Sequence, residues 1–183
     1  MARQRLVENK PARPLAVKAP DGMAELLLNV AGALQQDNAS GPALVYARLA
    51  DYLRPDDPDT IYVIAGLLEG DDQNEAAVAA YRRIPLDSDL SWSARRAAAA
   101  NLAQLKRVPE AAAILEEMAK ERADRWDTLM LLGNLWRSEK DFPKAVAAYD
   151  RAVTRIGKLE ERHWNLLYAR GIALERSKQW PRA

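Results

Sequence analysis

Cysteine is absent from this 183-residue chain, and histidine occurs once, as His163. These two absences exclude a disulfide framework, a zinc–thiolate site, a cysteine nucleophile and any metal motif built on a pair of histidines. Long apolar runs are missing as well. None approaches the roughly 18 residues that a membrane-spanning helix needs, and the N-terminus lacks the apolar stretch of a secretory signal. Charge of one sign is not in excess: 27 Lys and Arg stand against 26 Asp and Glu, a net +1, which argues against a dedicated nucleic-acid binder. A glycine-rich phosphate loop, a His-Glu-x-x-His pair and a serine elbow are all lacking, so the expectation is a chain that is not an enzyme and holds no cofactor. Two acidic clusters remain, Asp56, Asp57 and Asp59, then Asp71 and Asp72. Without the glycine and closing glutamate of a calcium loop, they are expected to cap helices or close turns, with no metal. His163 lies just before a helical pattern and has no evident partner in the sequence.

Hydrophobic residues make up 49% of the chain and charged residues 29%, the balance of a folded globular protein. The length suits about one domain and is enough to bury a core without disulfides or metal. Residues 1–20 stand apart. Arg3, Arg5, Lys10, Arg13 and Lys18 face Glu8 alone, giving +4 and leaving −3 for the rest, and Pro11, Pro14 and Pro20 lie in the same stretch. Spaced prolines disfavour a long helix, so this reads as a basic N-terminal arm. With no aromatic residue in it, it is a weak signal for lipid or RNA.

From Asp21 onward alanine and leucine recur at helical spacing, interrupted by polar turns every dozen or so residues, and no segment alternates at period two. The pattern is all-α, and it repeats. Ala43, Ala77, Ala111 and Ala145 are each 34 residues apart, with Ala183 following after 38. A second ladder, Ala31, Ala65, Ala99, Gly133 and Gly171, runs in the same phase. Each period holds two helix patterns, A and B. In the clearest copy Leu129, Leu132, Gly133 and Trp136 share one face of helix A, and Phe142, Ala145, Tyr149 and Ala152 one face of helix B. Small residues let two helix backbones approach while the aromatic ones fill the space around them. Proline recurs at the start of B helices, at Pro109, Pro143 and Pro181, where its missing N–H costs nothing.

This arrangement resembles the tetratricopeptide repeat (TPR) family, whose 34-residue signature has the same order of large, small and aromatic positions. The copy with Leu129, Leu132, Gly133, Trp136, Phe142, Ala145, Tyr149 and Ala152 carries nearly all of it. Leu27, Val30, Ala31, Leu34, Ala43, Ala50 and Pro55 form a first copy, and Ile61, Ile64, Ala65, Leu68, Ala77 and Tyr81 a second. The third, with Ala98, Ala99, Leu102, Ala111 and Leu115, is the most degenerate and places Arg95 where an apolar residue is expected. A fifth begins with Leu167, Gly171, Leu174 and Trp180. The resemblance implies a right-handed superhelical solenoid of antiparallel helix pairs. Residues 21–183 would make about four and a half TPR units: residues 24–57, 58–91, 92–125, 126–163 and a partial 164–183.

The fifth copy stops one turn into its B helix, so Trp164, Leu167, Leu174 and Trp180 are expected to form an exposed end. From this the chain is expected to be a fragment of a longer bacterial-type multi-repeat protein, with a homodimer through that end as the companion expectation. Gly157 is expected to end the fourth B helix, with the extra four residues of the last interval in a loop. In the family the A helices line a concave groove, so the resemblance makes the A-helix positions outside the packing ladders its wall. These are Glu25, Leu28, Gly32 and Gln35; Asp59, Tyr62, Gly66 and Glu69; Ser93, Arg96, Ala100 and Ala103; Asp127, Met130, Asn134 and Arg137; Asn165, Tyr168, Ile172 and Glu175. Tyr62, Arg96, Met130 and Tyr168 are the expected anchors and Asn134 a main-chain partner, although Tyr62 and Tyr168 can equally serve as packing along neighbouring helices. Some family members grip a C-terminal carboxylate with Lys and Asn on the first A helix and Lys and Arg on the third. Leu28, Gly32, Ser93 and Ala97 stand there instead, which argues against that mode. The expected function is a non-enzymatic scaffold for a peptide or partner protein, the alternative a structural part of a larger array. The chain reads as cytoplasmic as written, or as periplasmic or exported if it is part of a longer precursor.

Overall fold

The computed structural model describes residues 18–179 and Pro181. The basic arm up to residue 17, Trp180 and Ala183 lie outside the described residues. Nine α-helices and no strand occur among the described residues: α1 (Ala19–Gln36), α2 (Ser40–Leu53), α3 (Pro58–Gly70), α4 (Asn74–Tyr81), α5 (Ser91–Gln104), α6 (Val108–Glu121), α7 (Asp127–Ser138), α8 (Phe142–Ile156) and α9 (Trp164–Arg176). They form two compact units, α1–α4 up to Pro85 and α5–α9 from Leu86.

Local chemistry accounts for where the helices start and stop. Pro58, Pro109 and Pro143 sit in the first turn of α3, α6 and α8, where a missing N–H breaks no helical bond. Asp57 caps α3, its carboxylate accepting from the Thr60 N–H at 3.0 Å, and Asp141 caps α8 through the Lys144 N–H at 3.2 Å. The first acidic cluster therefore does the capping work expected of it. Every A helix ends in the same way. Asn38, Asp72, Lys106, Lys140 and Lys178 have φ between 57° and 61°, and the following N–H reaches back to the carbonyl of Leu34, Leu68, Leu102, Trp136 and Leu174. This is the Schellman closure, built five times on residues other than glycine. Gly157, with φ 67°, ends α8.

The two sequence ladders meet inside the hairpins. Ala31, Ala65, Ala99, Ala43, Ala77, Ala111 and Ala145 are all buried, as is Gly133. A β-carbon on Gly133 would run into the ring of Tyr149, so glycine is required by the close approach of α7 and α8. Around these contacts Ile61 in the first unit, and Leu102, Met118, Leu129, Leu132, Tyr149 and Leu166 in the second, fill the core of each.

Within each unit, successive hairpins are tied at their rims by arginines. In the first, Arg83 after α4 forks onto Asp51 of α2 at 2.9 and 3.0 Å. In the second, Arg151 of α8 forks onto Glu116 of α6 at 2.6 and 2.9 Å. Arg155 donates to the carbonyls of Ala119 and Arg125, satisfying backbone groups at the end of α6 and in the turn that follows. Arg170 of α9 reaches Asp150 of α8 at 2.7 Å. Arg95, out of place by the repeat pattern, lies at the edge of α5 and pairs with Glu121 at 2.6 Å. Its charge is thus kept at the surface rather than in the core.

Two sequence expectations change here. Leu174, assigned to an exposed end, has no exposed surface, because α9 packs this side against α8 and the core. His163, which seemed to lack a partner, is buried: its Nδ1 accepts from the Glu160 N–H at 2.9 Å and its ring meets Trp126 edge-on at 5.4 Å. It holds the connection into α9 in place.

Candidate functional site

In the first unit the A-helix surface is formed by α1 and α3. Leu28 and Gly32 are half-buried and Asp59 is exposed. Glu25 lies 3.9 Å from Arg54, whose guanidinium also meets Asp57 at 2.8 Å. Tyr62 is half-buried and sits edge-on to Tyr81 of α4, with ring centroids 5.6 Å apart. The Tyr81 hydroxyl donates to Glu69 at 2.8 Å. Burial first, and then the Glu69 carboxylate, push this phenol well above its ordinary value of 10. Two groove candidates, Tyr62 and Glu69, are therefore engaged by helix B of their own hairpin.

The second unit presents α5, α7 and α9, with α7 and α9 in contact along their A-helix sides. Arg96 and Arg137 are exposed and Met130 half-buried. Asn134 is partly committed, since its carbonyl accepts from the Tyr149 hydroxyl at 2.8 Å. Burial raises the Tyr149 phenol, and Arg137 beside it opposes the rise. Glu69 and Arg137 occupy the same place in their repeats, so one register position holds a tyrosine hydroxyl with opposite charges. Asp127 is paired with Arg125 at 2.6 Å.

On α9 the arrangement is different. Trp164 and Tyr168 stack with centroids 5.5 Å apart and 27° between planes, and they are 63% and 58% exposed. The spacing of four puts both rings on one helix face. This joins a residue assigned to the groove with one assigned to the open end. Large aromatic groups left in water are unusual on a protein surface, and two in register form a preorganised apolar platform at little entropic cost. Leu167, between them in sequence, is half-buried.

The second unit also contains a cleft of about 530 Å³, lined by Asp87, Ser88, Trp92, Arg95 and Arg122 among others. Trp92 is covered by the guanidinium groups of Arg122 and Arg125, 5.2 and 5.3 Å from its ring centre. That engagement makes Trp92 a structural contact between α5 and the end of α6. Among the described residues no cluster of three or more potential metal ligands occurs, and no helix is long and apolar enough to cross a membrane.

Helical hairpins of 34-residue period, closed by identical turns and packed through small-residue ladders, settle the architecture, and solved structures agree. The chain has the tetratricopeptide-repeat fold. No protein-family model matches it, and no curated protein does. Among solved structures it is similar to MamA residues 41 to the end from Desulfovibrio magneticus RS-1, at 18% identity and a TM-score of 0.65 over 90% of this chain and 94% of that one. It is similar to YrrB, described as a TPR protein with an unusual peptide-binding site, at 13% identity and a TM-score of 0.61 over 89% and 86% of the two chains. A Podosopora anserina kinesin-light-chain-like structure with nearly identical TPR-like repeats gives 14% identity and 0.70 over 89% and 90%. At these identities the likeness concerns the fold.

A further surface had no place in the sequence reading. On the first hairpin Met23, Leu26, Val45, Tyr46, Leu49 and Tyr52 are all exposed. Comparing the repeats with one another would have found it, since the position of Leu49 holds a charged residue, Arg83, Glu117 and Arg151, in the later hairpins.

Proposed function

We propose that this TPR chain is a non-enzymatic scaffold that receives a peptide or partner-protein segment on its A-helix surfaces. The observation that carries the proposal is the stacked, exposed Trp164–Tyr168 pair on α9, on the same unit as Met130, Arg137 and the free amide of Asn134. Such a platform supplies aromatic anchors of the kind that dominate interface energies once a partner covers them, while Asn134 and Arg137 offer polar contacts to a main chain or a carboxylate. The peptide-binding site described for YrrB supports this use of the fold. Arg96 belongs to the same unit, while Glu25, Leu28, Asp59 and Tyr62 give the first unit a candidate surface of its own, with Tyr62 contributing chiefly a fixed wall.

Screening a peptide library with the full chain and with Trp164→Ala/Tyr168→Ala tests the proposal. Selected peptides should bind the native chain and lose at least tenfold in affinity to the double variant. Peptides that bind both equally would sink it. One observation favours a second reading, self-association at the C-terminal end: Trp164 is exposed and Leu167 only half-buried there. A concentration-dependent dimer abolished by Trp164→Ala would select that alternative.

A further inference from the structure

Unpaired charge in the second unit is segregated. On its A helices and in the turns that close them, Arg96, Arg137, Lys140, Arg176 and Lys178 are exposed, and none pairs with a carboxylate among the described residues. Of the acids on the same surface, Asp127 is held by Arg125 and Glu139 by Lys106, which leaves Glu175. The first unit has the opposite sign at the same repeat positions. Gln35 and Glu69 stand where Arg137 does, and Asn38 and Asp72 where Lys140 and Lys178 do. Asn38 and Asp72 make the same left-handed closing turn, so the turn does not account for the lysines. Over residues 18–85 eleven acids face five bases, and over residues 86–183 eighteen bases face fourteen acids.

Granted the scaffold role proposed for this surface, we infer that the second unit takes an acidic, extended segment of a partner protein, with an aliphatic or aromatic anchor about three residues from its carboxylate. Arg96, Met130 and Tyr168 hold one repeat position on α5, α7 and α9, and Arg137 follows Met130 by seven residues on the same helix face. At 1.5 Å per residue this separation is about 10 Å, the reach of about three residues of extended chain. An anchor seated on Met130, Trp164 and Tyr168 therefore brings a carboxylate to Arg137, while the Asn134 amide donates to the chain between them. Arg96 receives a second acid on the other side of the anchor, and Lys140 and Lys178 add attraction at longer range. Other occupants are opposed by charge or by shape. The basic arm, with four cations to one acid in residues 1–17, has the wrong sign. A second copy offers no such segment: among the described residues every exposed large apolar side chain lies in a helix except Leu86 and Leu159. Those two sit in connections folded by their own hydrogen bonds, from the Leu90 N–H to Ser88 Oγ and from the Glu160 N–H to His163 Nδ1. A long polyanion, whether RNA or an anionic membrane, is repelled by the acidic first unit.

The test is selection of a random dodecapeptide library on the full chain, followed by fluorescence anisotropy of the selected peptides at low and high salt. The peptides should carry Asp or Glu three or four residues from an aliphatic or aromatic residue, and should bind more weakly as salt rises. Their affinity should fall at least tenfold in Arg137→Glu and several-fold in Arg96→Glu and Lys140→Glu. It should be unchanged in Lys120→Glu, an equal change of charge on helix B of the third repeat. All four side chains are exposed, so none of these variants threatens the core. Peptides that need Trp164 and Tyr168 but show no acidic enrichment, or that bind Arg137→Glu and Arg96→Glu as well as the native chain, overturn this inference and leave the scaffold reading standing. Peptides indifferent to Trp164→Ala/Tyr168→Ala, or a library that yields none, sink both. Tighter binding of a single-stranded RNA oligomer or of phosphatidylserine vesicles than of any selected peptide, lost in Arg137→Glu, would give the surface to a polyanion. Self-association in sedimentation equilibrium that Arg137→Glu abolishes would give it to a second copy, and either result overturns the inference.

Discussion

Gly133 and Gly171 occupy one position in the repeat and face opposite consequences of the same change. Alanine at Gly133 meets the ring of Tyr149, which is fully buried and pinned by Asn134, so the ring cannot swing away. Overpacking costs on the order of 1–3 kcal/mol and outweighs the roughly 1 kcal/mol that alanine gains over glycine in a helix. Gly133→Ala should lower stability by about 1 kcal/mol in urea denaturation. Gly171, with open space around it, should gain up to about 1 kcal/mol as alanine. Asn101 offers a second test. It is buried on α5 where Leu67 and Leu135 stand in other repeats, and its side-chain oxygen has no hydrogen-bond partner. Asn101→Leu should raise the unfolding midpoint, by roughly 1–2 kcal/mol, because it removes an unsatisfied buried acceptor. An unchanged or lower midpoint would mean that the oxygen is satisfied by water. The sequence put Gly133 and Tyr149 on the packing faces of one hairpin, but only the structure showed that the ring, sixteen residues on, takes the space a β-carbon at Gly133 would need.

The helices begin and end on side-chain and backbone chemistry that is mostly legible in order along the chain. Prolines and aspartates marked the starts of α3 and α8, and Gly157 the end of α8. The ends of the A helices were harder to see, because the left-handed position carries Asn, Asp or Lys instead of glycine. A left-handed conformation costs a residue with a β-carbon about 1–2 kcal/mol. Lys140→Gly should therefore stabilise the protein by about 0.5–1 kcal/mol after the entropic cost of glycine, whereas Ala147→Gly, in the exposed middle of α8, should cost about 1 kcal/mol. Thermal unfolding of the two variants, shifting in opposite directions, checks the assignment. Asp57→Ala should cost about 1 kcal/mol, the usual value of an N-cap.

At the level of the molecule, carboxylates couple the fold to pH. Asp57 illustrates the balance: burial alone would raise its pKa, but the Thr60 hydroxyl and N–H and the Arg54 guanidinium together hold it below the ordinary 3.8. Glu116 is held down chiefly by its hydrogen bonds with Arg151, and Asp141 by Lys144. A carboxylate with a lowered folded-state pKa contributes stability that is complete above its unfolded value and lost as pH falls through the folded one. Stability should thus be level above about pH 5 and decline progressively below the ordinary glutamate value of 4.5. Tyr81 has the opposite sign. Its raised phenol contributes stability that is complete below 10 and lost as pH climbs beyond it, so Tyr81→Phe should flatten the alkaline limb of a urea-midpoint profile. The sequence by itself determined the all-α class, the 34-residue period and the faces that pack, because helical periodicity and residue size are local and repeat in register. Only the tertiary structure decided which of those faces remain open. It buried Leu174, engaged Tyr62, paired Trp164 with Tyr168 and left Leu26 and Leu49 bare, since exposure depends on what lies opposite, and in a repeat array that is the neighbouring hairpin.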